Sequence, residues 1–148
     1  MSHCPSFEVN VLTAIFYRKG GRNSELIKAF NDFPNEVKSI FFTLTILASQ
    51  EKPALLSFLN ENNWALVTTE RLIWCNDQAI DEIAHQDVED VTIDLLALRR
   101  IGGHFKKETK DLKIITKHRG ECTIKLAESG AVFFAFLNAV QWIYHRQK

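Results

Sequence analysis

The stretch "WALVTTERLIWCND", residues 64–77, decides the fold of this chain. Two apolar runs meet at a polar Thr-Thr-Glu-Arg tetrapeptide. In an extended chain Trp64 and Leu66 lie on one face, while Ala65 and Val67 lie on the other. A period of two on each side of turn-forming residues is typical of a β-hairpin. The stretch therefore predicts two antiparallel strands joined by a tight turn.

Further strands are predicted on both sides of this hairpin. ALLSFL (54–59) precedes it, and a polar, acidic connection leads from it to DVTIDLLALRR (90–100), which we expect to be one long strand. DLKIITK (111–117) and ECTIKLA (121–127) flank His-Arg-Gly. This spacing is typical of a hairpin in which Gly120 takes a positive φ. The pattern predicts a mainly antiparallel β fold.

The chain ends in a segment with helical spacing, residues 131–145. Its apolar stripe, which repeats every three or four residues, consists of Phe133, Phe136, Leu137, Val140 and Tyr144. Such a stripe buries one face of a helix against a core. We predict that this helix covers the open end of the sheet.

The first third of the chain reads differently. FEVNVLTAIFYR (7–18) alternates and predicts a strand, and Ser24 is a candidate N-cap for a short helix over 24–33. Residues 35–50 are expected to begin as a helix and to become a strand toward Leu47, because FFTLTIL is rich in strand-forming residues.

Composition restricts the class of protein. The chain has 148 residues, 46% apolar and 24% charged, which is typical of one soluble globular domain with room for a small extension. It has no apolar run of about 18 residues and no signal-peptide pattern at its start. The three cysteines are widely separated and form no disulfide framework, so we expect a reducing, cytoplasmic location.

Four segments together resemble the bacterial pleckstrin-homology-like domains, relatives of PH and GRAM domains. They are "WALVTTERLIW", "IDEIAHQDVEDVTID", "DLKIITKHRGECTIKL" and "FFAFLNAV", and the similarity covers about residues 47–145. The best-matching motif positions are Thr69, Arg71, Leu72 and Ile73, followed by residues 83–91.

The resemblance implies an α+β, mainly antiparallel β fold: a partly open barrel of about seven strands capped by a C-terminal helix. It places this PH-like domain at residues 46–148. Residues 1–45 lie outside it and are expected to form a strand-and-helix extension packed on the domain. The resemblance also implies that Trp64 and Trp74 fill the core, and that Thr69 and Arg71 shape the turn.

The sequence contains no motif for catalysis. Nucleophile elbows, P-loops, zinc-protease helices and dinucleotide fingerprints are all missing. His118 and Cys122 bracket a turn, but a nucleophile pair also needs an orienting group and an oxyanion site. His3-Cys4 offers two metal ligands only, and the carboxylates lack EF-hand spacing. We therefore predict a protein that is not an enzyme and has no metal or cofactor.

Charge is the most informative remaining feature. Residues 70–94 contain eight acidic residues and one basic, whereas residues 99–125 contain nine basic and three acidic. We expect an exposed acidic loop that docks a protein partner, formed by Asp81, Glu82, Asp87, Glu89 and Asp90. The candidate site for an anionic lipid headgroup or nucleic acid is a glycine-hinged basic loop with Arg99, Arg100, His104, Lys106, Lys107 and Lys110.

Two functions remain open from the sequence. The first is a non-enzymatic PH-like binding module for protein recognition, with anionic headgroup binding as its weaker form. The resemblance implies that a lipid phosphate would bind at the loop of residues 59–63, which here has no basic residue. The alternative is a cytoplasmic immunity protein that blocks the active site of a nuclease toxin, with the acidic segment mimicking nucleic acid. The sequence leaves open whether the acidic and basic segments pair with each other or face partners, and it does not determine the oligomeric state.

Overall fold

The computed structural model describes residues 5–21, 24–44, 47, 50–93 and 110–145. This part of the chain contains two antiparallel sheets and three α-helices. The first sheet has five strands in chain order: β1 (Ile27–Ala29), β2 (Pro53–Asn60), β3 (Asn63–Thr68), β4 (Arg71–Asn76) and β5 (Ala79–Ala84). The second has three: β6 (Val88–Thr92), β7 (Asp111–Thr116) and β8 (Glu121–Lys125). The helices are α1 (Pro5–Phe16), α2 (Asn35–Leu44) and α3 (Ala131–His145).

The predicted α+β class with antiparallel sheets and a C-terminal helix is confirmed. Among the described strands, each ladder stays within its own sheet, and the two sheets do not close into a barrel. A 3₁₀ turn, His85–Asp87, links β5 of the first sheet to β6 of the second. Within the same residues, no helix is both long and apolar enough to cross a membrane.

The corner at residues 64–77 forms the expected hairpin. Trp64 pairs with Cys75 and Val67 with Leu72, so β3 and β4 are in direct register. Both faces of the hairpin are buried, in two separate apolar clusters. One contains Ala65, Val67, Leu72 and Trp74, and the other contains Trp64, Leu66, Ile73 and Cys75. Burial on both faces explains why these strands read as nearly continuous apolar runs, and it confirms that both tryptophans fill cores.

The two clusters are covered by different helices. α3 and α1 complete the first cluster, to which α3 contributes the whole predicted stripe of Phe133, Phe136, Leu137, Val140 and Tyr144. α1 contributes Leu12 and Phe16 to the same cluster. α2 lies over the other face of the sheet, where Phe41 packs edge-on against Trp64 with ring centroids 4.9 Å apart.

The hairpin of β7 and β8 is also confirmed. Its strands pair from Asp111 with Lys125 to Ile115 with Glu121. Gly120 has φ +77°, a conformation that L side chains rarely adopt. The amide and the hydroxyl of Thr116 both donate to the Gly120 carbonyl and close the turn.

Two predictions for the first third of the chain are wrong, and a third is wrong in part. Residues 7–18 belong to α1 and the turn after it, because Leu12, Ile15 and Phe16 lie on one buried helical face; tertiary burial overrides the strand preference of the β-branched residues. Residues 24–33 form β1 and a 3₁₀ turn rather than a helix. The Ser24 hydroxyl accepts the amide of Ile27 at 2.8 Å, but Leu26 then accepts the amide of Phe58 on β2.

Residues 35–50 begin as the expected helix, which continues to Leu44 through residues predicted as strand. Leu47 is not in a strand, and residues 45–46 and 48–49 lie outside the described residues. The boundary between an extension (1–45) and a main domain (46–148) stays a prediction. Across it, β1 pairs with β2, and α1 shares its cluster with α3.

The region between the hairpins also differs from expectation. The acidic connection contains a complete strand, β5, and the strand predicted over 90–100 is observed only as β6, which begins at Val88. Residues 94–100 lie outside the described residues. β5 was missed because it is an edge strand in which only Ile83 is buried, so its apolar alternation is hidden by charge.

Candidate functional site

The predicted acidic loop is instead built on two strands. Asp81 and Glu82 lie on β5, Asp87 ends the 3₁₀ turn, and Glu89 and Asp90 lie on β6. We call these five residues the acidic face. The expectation of a loop is wrong because ladder pairing fixes the backbone of Asp81, Glu82 and Asp90, and Glu89 lies at an irregularity within β6. A carboxylate on a strand has a defined position before any partner arrives.

Three carboxylates of the acidic face form ion pairs within the chain. Asp81 contacts Arg119 with Oδ2 and Nη2 2.6 Å apart, and Glu82 contacts Arg71 with Oε2 and Nη1 2.8 Å apart. Asp90 lies 3.1 Å from Nε2 of His145. Arg119 belongs to the β7–β8 turn, Arg71 to β4 and His145 to α3, and His145 is charged only when it is protonated. Because all three carboxylates remain open to water, solvent screens each pair and its contribution to stability is small.

The acidic face remains accessible despite these pairs. The side chain of Glu82 is 58% exposed, and Glu89 is exposed on β6. Its negative charges are therefore only partly neutralised and can be reached by a positively charged surface.

Among the described strands, β5 lies at the edge of the first sheet and pairs with β4 alone. The amide of His85 donates to the Glu70 carbonyl at 3.0 Å. This bond shows which residues of β5 direct their backbone groups toward β4. Backbone groups alternate in direction along a strand. The N–H and C=O groups of Asp81 and Ile83 therefore point toward β4, whereas those of Ile80, Glu82 and Ala84 point away from the sheet. Ile80 is 52% exposed, so this edge carries an apolar contact beside its charges.

One point of this edge is occupied by Arg119. Its Nη1 donates to the Glu82 carbonyl at 2.9 Å, while its Nη2 contacts Asp81. Oδ1 of Asp81 also accepts the amide of Glu82 at 2.7 Å. Arg119 and Asp81 thus satisfy both outward backbone groups of Glu82.

The corner between β3 and β4 holds β5 in place. The Thr68 hydroxyl accepts the amides of Glu70 and Arg71 at 3.1 and 3.0 Å and donates to Oε2 of Glu51 at 2.5 Å. Arg71 donates hydrogen bonds to both carboxylate oxygens of Glu51, with Nε 2.9 Å from Oε2 and Nη2 3.2 Å from Oε1. The hydrogen bond with Glu51 raises the pKa of Arg71, so the guanidinium stays charged. Arg71 shapes the turn as expected, but the organising hydroxyl belongs to Thr68, while that of Thr69 accepts the amide of Lys52.

A buried histidine joins this corner to α3. His85 places Nε2 2.8 Å from the Thr68 carbonyl and Nδ1 2.8 Å from the Tyr144 hydroxyl. A carbonyl only accepts, so we assign the proton to Nε2, and Nδ1 then accepts from the tyrosine. Burial raises the pKa of Tyr144 well above its ordinary value, so the hydroxyl keeps this proton. The 3₁₀ turn that joins β5 to β6 is therefore hydrogen-bonded both to the corner, at Thr68, and to α3, at Tyr144.

Sequence reasoning missed four residues of this support: Glu51, Thr68, His85 and Tyr144. Two of them gave a local signal. Thr68 comes two and three residues before the amides that it caps, and a tyrosine on a buried helical stripe requires a hydrogen-bond partner for its hydroxyl. Nothing local links Glu51 or His85 to the corner.

The predicted basic loop is not placed by the structure. Arg99, Arg100, His104, Lys106 and Lys107 lie outside the described residues; Lys110 is exposed, and its carbonyl accepts the amide of Leu126 at 2.7 Å. Of the remaining candidates, His118 is exposed and Cys122 is half-buried on β8, while His3 and Cys4 lie outside the described residues. Within the described ranges, no group of three or more His, Cys, Asp or Glu residues could hold a metal ion.

Comparison with protein-family models, with curated proteins and with solved structures found no match for this chain.

Proposed function

We propose that the chain is a non-enzymatic PH-like binding module that recognises a protein partner through the acidic face. The observation that carries the proposal is that five carboxylates lie on β5, on β6 or on the 3₁₀ turn between them, and that His85 of this turn is hydrogen-bonded to Thr68 of the corner. The assignment to a PH-like class rests on the order of the strands and the helix along the chain. Among the described residues, seven antiparallel strands, β2 to β8, precede the C-terminal helix, and this number and the helix are those that the resemblance implies.

The physical reason for a protein partner is electrostatic. A fixed set of negative charges with water access accelerates the approach of a basic surface and selects against an acidic one. Among the described residues, the five carboxylates pair with Arg71, Arg119 and His145, of which only the two arginines are permanently charged, and Arg71 is shared with Glu51. An external basic surface would gain the remaining attraction.

The same observation favours a second candidate, the immunity protein. A set of carboxylates accessible to water can take the place of the phosphates of nucleic acid in a basic nuclease cleft. The two candidates differ in the partner: an immunity protein would bind a nuclease domain and abolish its activity, whereas a general binding module would leave enzymatic activity intact. Nuclease activity of the captured partner, measured with and without this protein, distinguishes them.

Affinity capture from the native cell extract tests the proposal. The bait is the whole chain, compared with an Asp87→Asn, Glu89→Gln, Asp90→Asn variant. The control variant neutralises three exposed carboxylates elsewhere, Glu25, Glu36 and Glu61, so both variants carry the same net charge. We expect a partner that the wild type and the control retain and that the acidic-face variant loses. Equal retention by all three would refute recognition through the acidic face.

A further inference from the structure

We infer that the outer edge of β5 accepts an extended segment of the protein partner as an added antiparallel strand, with a basic side chain over Glu82 and an apolar side chain over Ile80. The inference rests on the proposed function, and it names the segment of the partner and the geometry with which it docks. Strand addition to an exposed sheet edge is a general mode of peptide recognition, in which backbone hydrogen bonds supply affinity and alternate side chains supply specificity.

The backbone of β5 offers the required hydrogen bonds. Ile80, Glu82 and Ala84 direct their amides and carbonyls away from β4, by the ladder phase that His85 and Glu70 set. At about 3.4 Å per residue these three positions span roughly 14 Å, the length of a five-residue strand. In the described part of the chain, the outward groups of Ile80 and Ala84 have no hydrogen-bond partner, whereas those of Glu82 are held by Asp81 and Arg119.

The side chains of the edge specify the occupant. Ile80 and Glu82 point to the same face of the sheet, since they pair with Cys75 and Ile73, which share one apolar cluster. Both are more than half exposed. Residues of an added strand that lie opposite them would be two positions apart. In an antiparallel strand the complementary pattern is therefore a basic residue, any residue, then an apolar residue.

A second copy of this chain is a poor occupant. The antiparallel register that uses the whole edge is centred on Glu82 and would place two Glu82 side chains directly opposite each other. Like charges in that position destabilise strand pairing. The negative charge of Asp81 and Glu82 thus selects a basic segment and disfavours self-association.

Arg119 occupies the outward carbonyl of Glu82 on this edge, and a docking strand would displace it. A docking strand must replace Nη1 of Arg119 at the Glu82 carbonyl and Oδ1 of Asp81 at the Glu82 amide, and its basic side chain then lies over Glu82. The Arg119 side chain is itself 45% exposed, so it can swing into water at small cost. Removing the guanidinium should therefore strengthen binding of a basic strand.

The test is an NMR titration of the whole chain with the capped peptide acetyl-Ser-Thr-Lys-Thr-Val-Thr-Ser-amide, in which lysine is placed for Glu82 and valine for Ile80. The control peptide has glutamate in place of lysine. We expect the lysine peptide to shift the amides of Ile80, Glu82 and Ala84, with a Kd near the millimolar range, and the glutamate peptide to cause no such shift. Arg119→Gln should lower the Kd several-fold.

A proline variant separates strand addition from simple charge attraction. Ile80→Pro removes one outward amide and leaves the hydrogen bonds to β4, and it should raise the Kd at least tenfold; Ile80→Val keeps both the amide and the apolar contact and should bind as the wild type does. Circular dichroism confirms folding. If Ile80→Pro does not fold, the Arg119→Gln result decides alone. Equal binding by Ile80→Pro, shifts confined to β6, or no binding by either wild type or Arg119→Gln would overturn the inference.

The two proposals can fail separately. Capture of a partner that the acidic-face variant loses and Ile80→Pro retains would overturn strand addition and leave the proposed function intact. Capture that neither change affects would overturn both.

Discussion

Removing the guanidinium of Arg71 should destabilise the fold more than any exposed ion pair does, because it leaves the Glu51 carboxylate buried. The side chain of Glu51 is 2% exposed, and Arg71 contacts both of its oxygens. Breaking a buried pair by removing one partner costs about 3–5 kcal/mol. Arg71 is 19% exposed, so water can reach the vacated site, and we expect the lower end, about 3 kcal/mol, for Arg71→Met.

The interaction energy between Arg71 and Glu51 is measured by a double-mutant cycle that combines Arg71→Met with Glu51→Gln. Glutamine is nearly isosteric and still accepts the Thr68 hydroxyl, but it has no charge. We expect about 2 kcal/mol for Glu51→Gln, and about 3 kcal/mol, rather than 5, for the double variant, because its lost interaction is counted once. That is a coupling energy of about 2 kcal/mol, typical of residues in one network.

Urea denaturation of the wild type and the three variants measures all four free energies. Unchanged m-values would show that the compactness of both states is preserved. Additive losses, with coupling under about 0.5 kcal/mol, would refute the claim that Arg71 and Glu51 hold the corner together.

Three further predictions concern the helix, the buried tyrosine and the basic loop. Phe136→Ala should cost about 3–5 kcal/mol by urea denaturation, from lost burial and a cavity, against under about 1 kcal/mol for the exposed control Asn138→Ala; a small loss at Phe136 would contradict its place in the core. Burial raises the pKa of Tyr144, so above about pH 10 the unfolded chain loses a proton that the folded chain keeps, and stability should fall by about 1.4 kcal/mol per pH unit. Tyr144→Phe should lack that part of the alkaline loss, and parallel stability curves from pH 9 to 11 would contradict the assignment. Lys106→Glu with Lys107→Glu should leave the melting temperature unchanged. If the parent protein binds anionic vesicles or RNA, this change should abolish that binding; a parent that binds neither at moderate salt would remove the anionic-ligand function.

Much of the fold can be predicted from local pattern, and the failures have a common physical cause. The corner, the stripe on α3 and the turn at Gly120 were predicted because each depends on residues close in sequence. α1 was read as a strand because its burial is decided by α3, which lies more than a hundred residues away. β5 was missed because an edge strand that carries charge conceals its alternation.

The candidate site divides in the same way. The five carboxylates were identified from charge density alone, but the turn that links their two strands is held by hydrogen bonds of His85 with Thr68 and Tyr144. These contacts join residues up to 59 positions apart, and no local pattern encodes them. For the basic loop, the prediction from sequence stands untested, because most of its residues lie outside the described part of the chain.

The most direct test of recognition through the acidic face is the association rate of the captured partner with the wild type and with the Asp87→Asn, Glu89→Gln, Asp90→Asn variant, measured from low to physiological salt. Asp90→Asn keeps the oxygen that accepts the Val91 amide, so the melting temperature should stay the same or rise. The account predicts association about tenfold slower for the variant at low salt, with the difference shrinking as salt is added, because charge complementarity acts chiefly through steering. An unchanged association rate would remove the acidic face from the interface and contradict the proposed function.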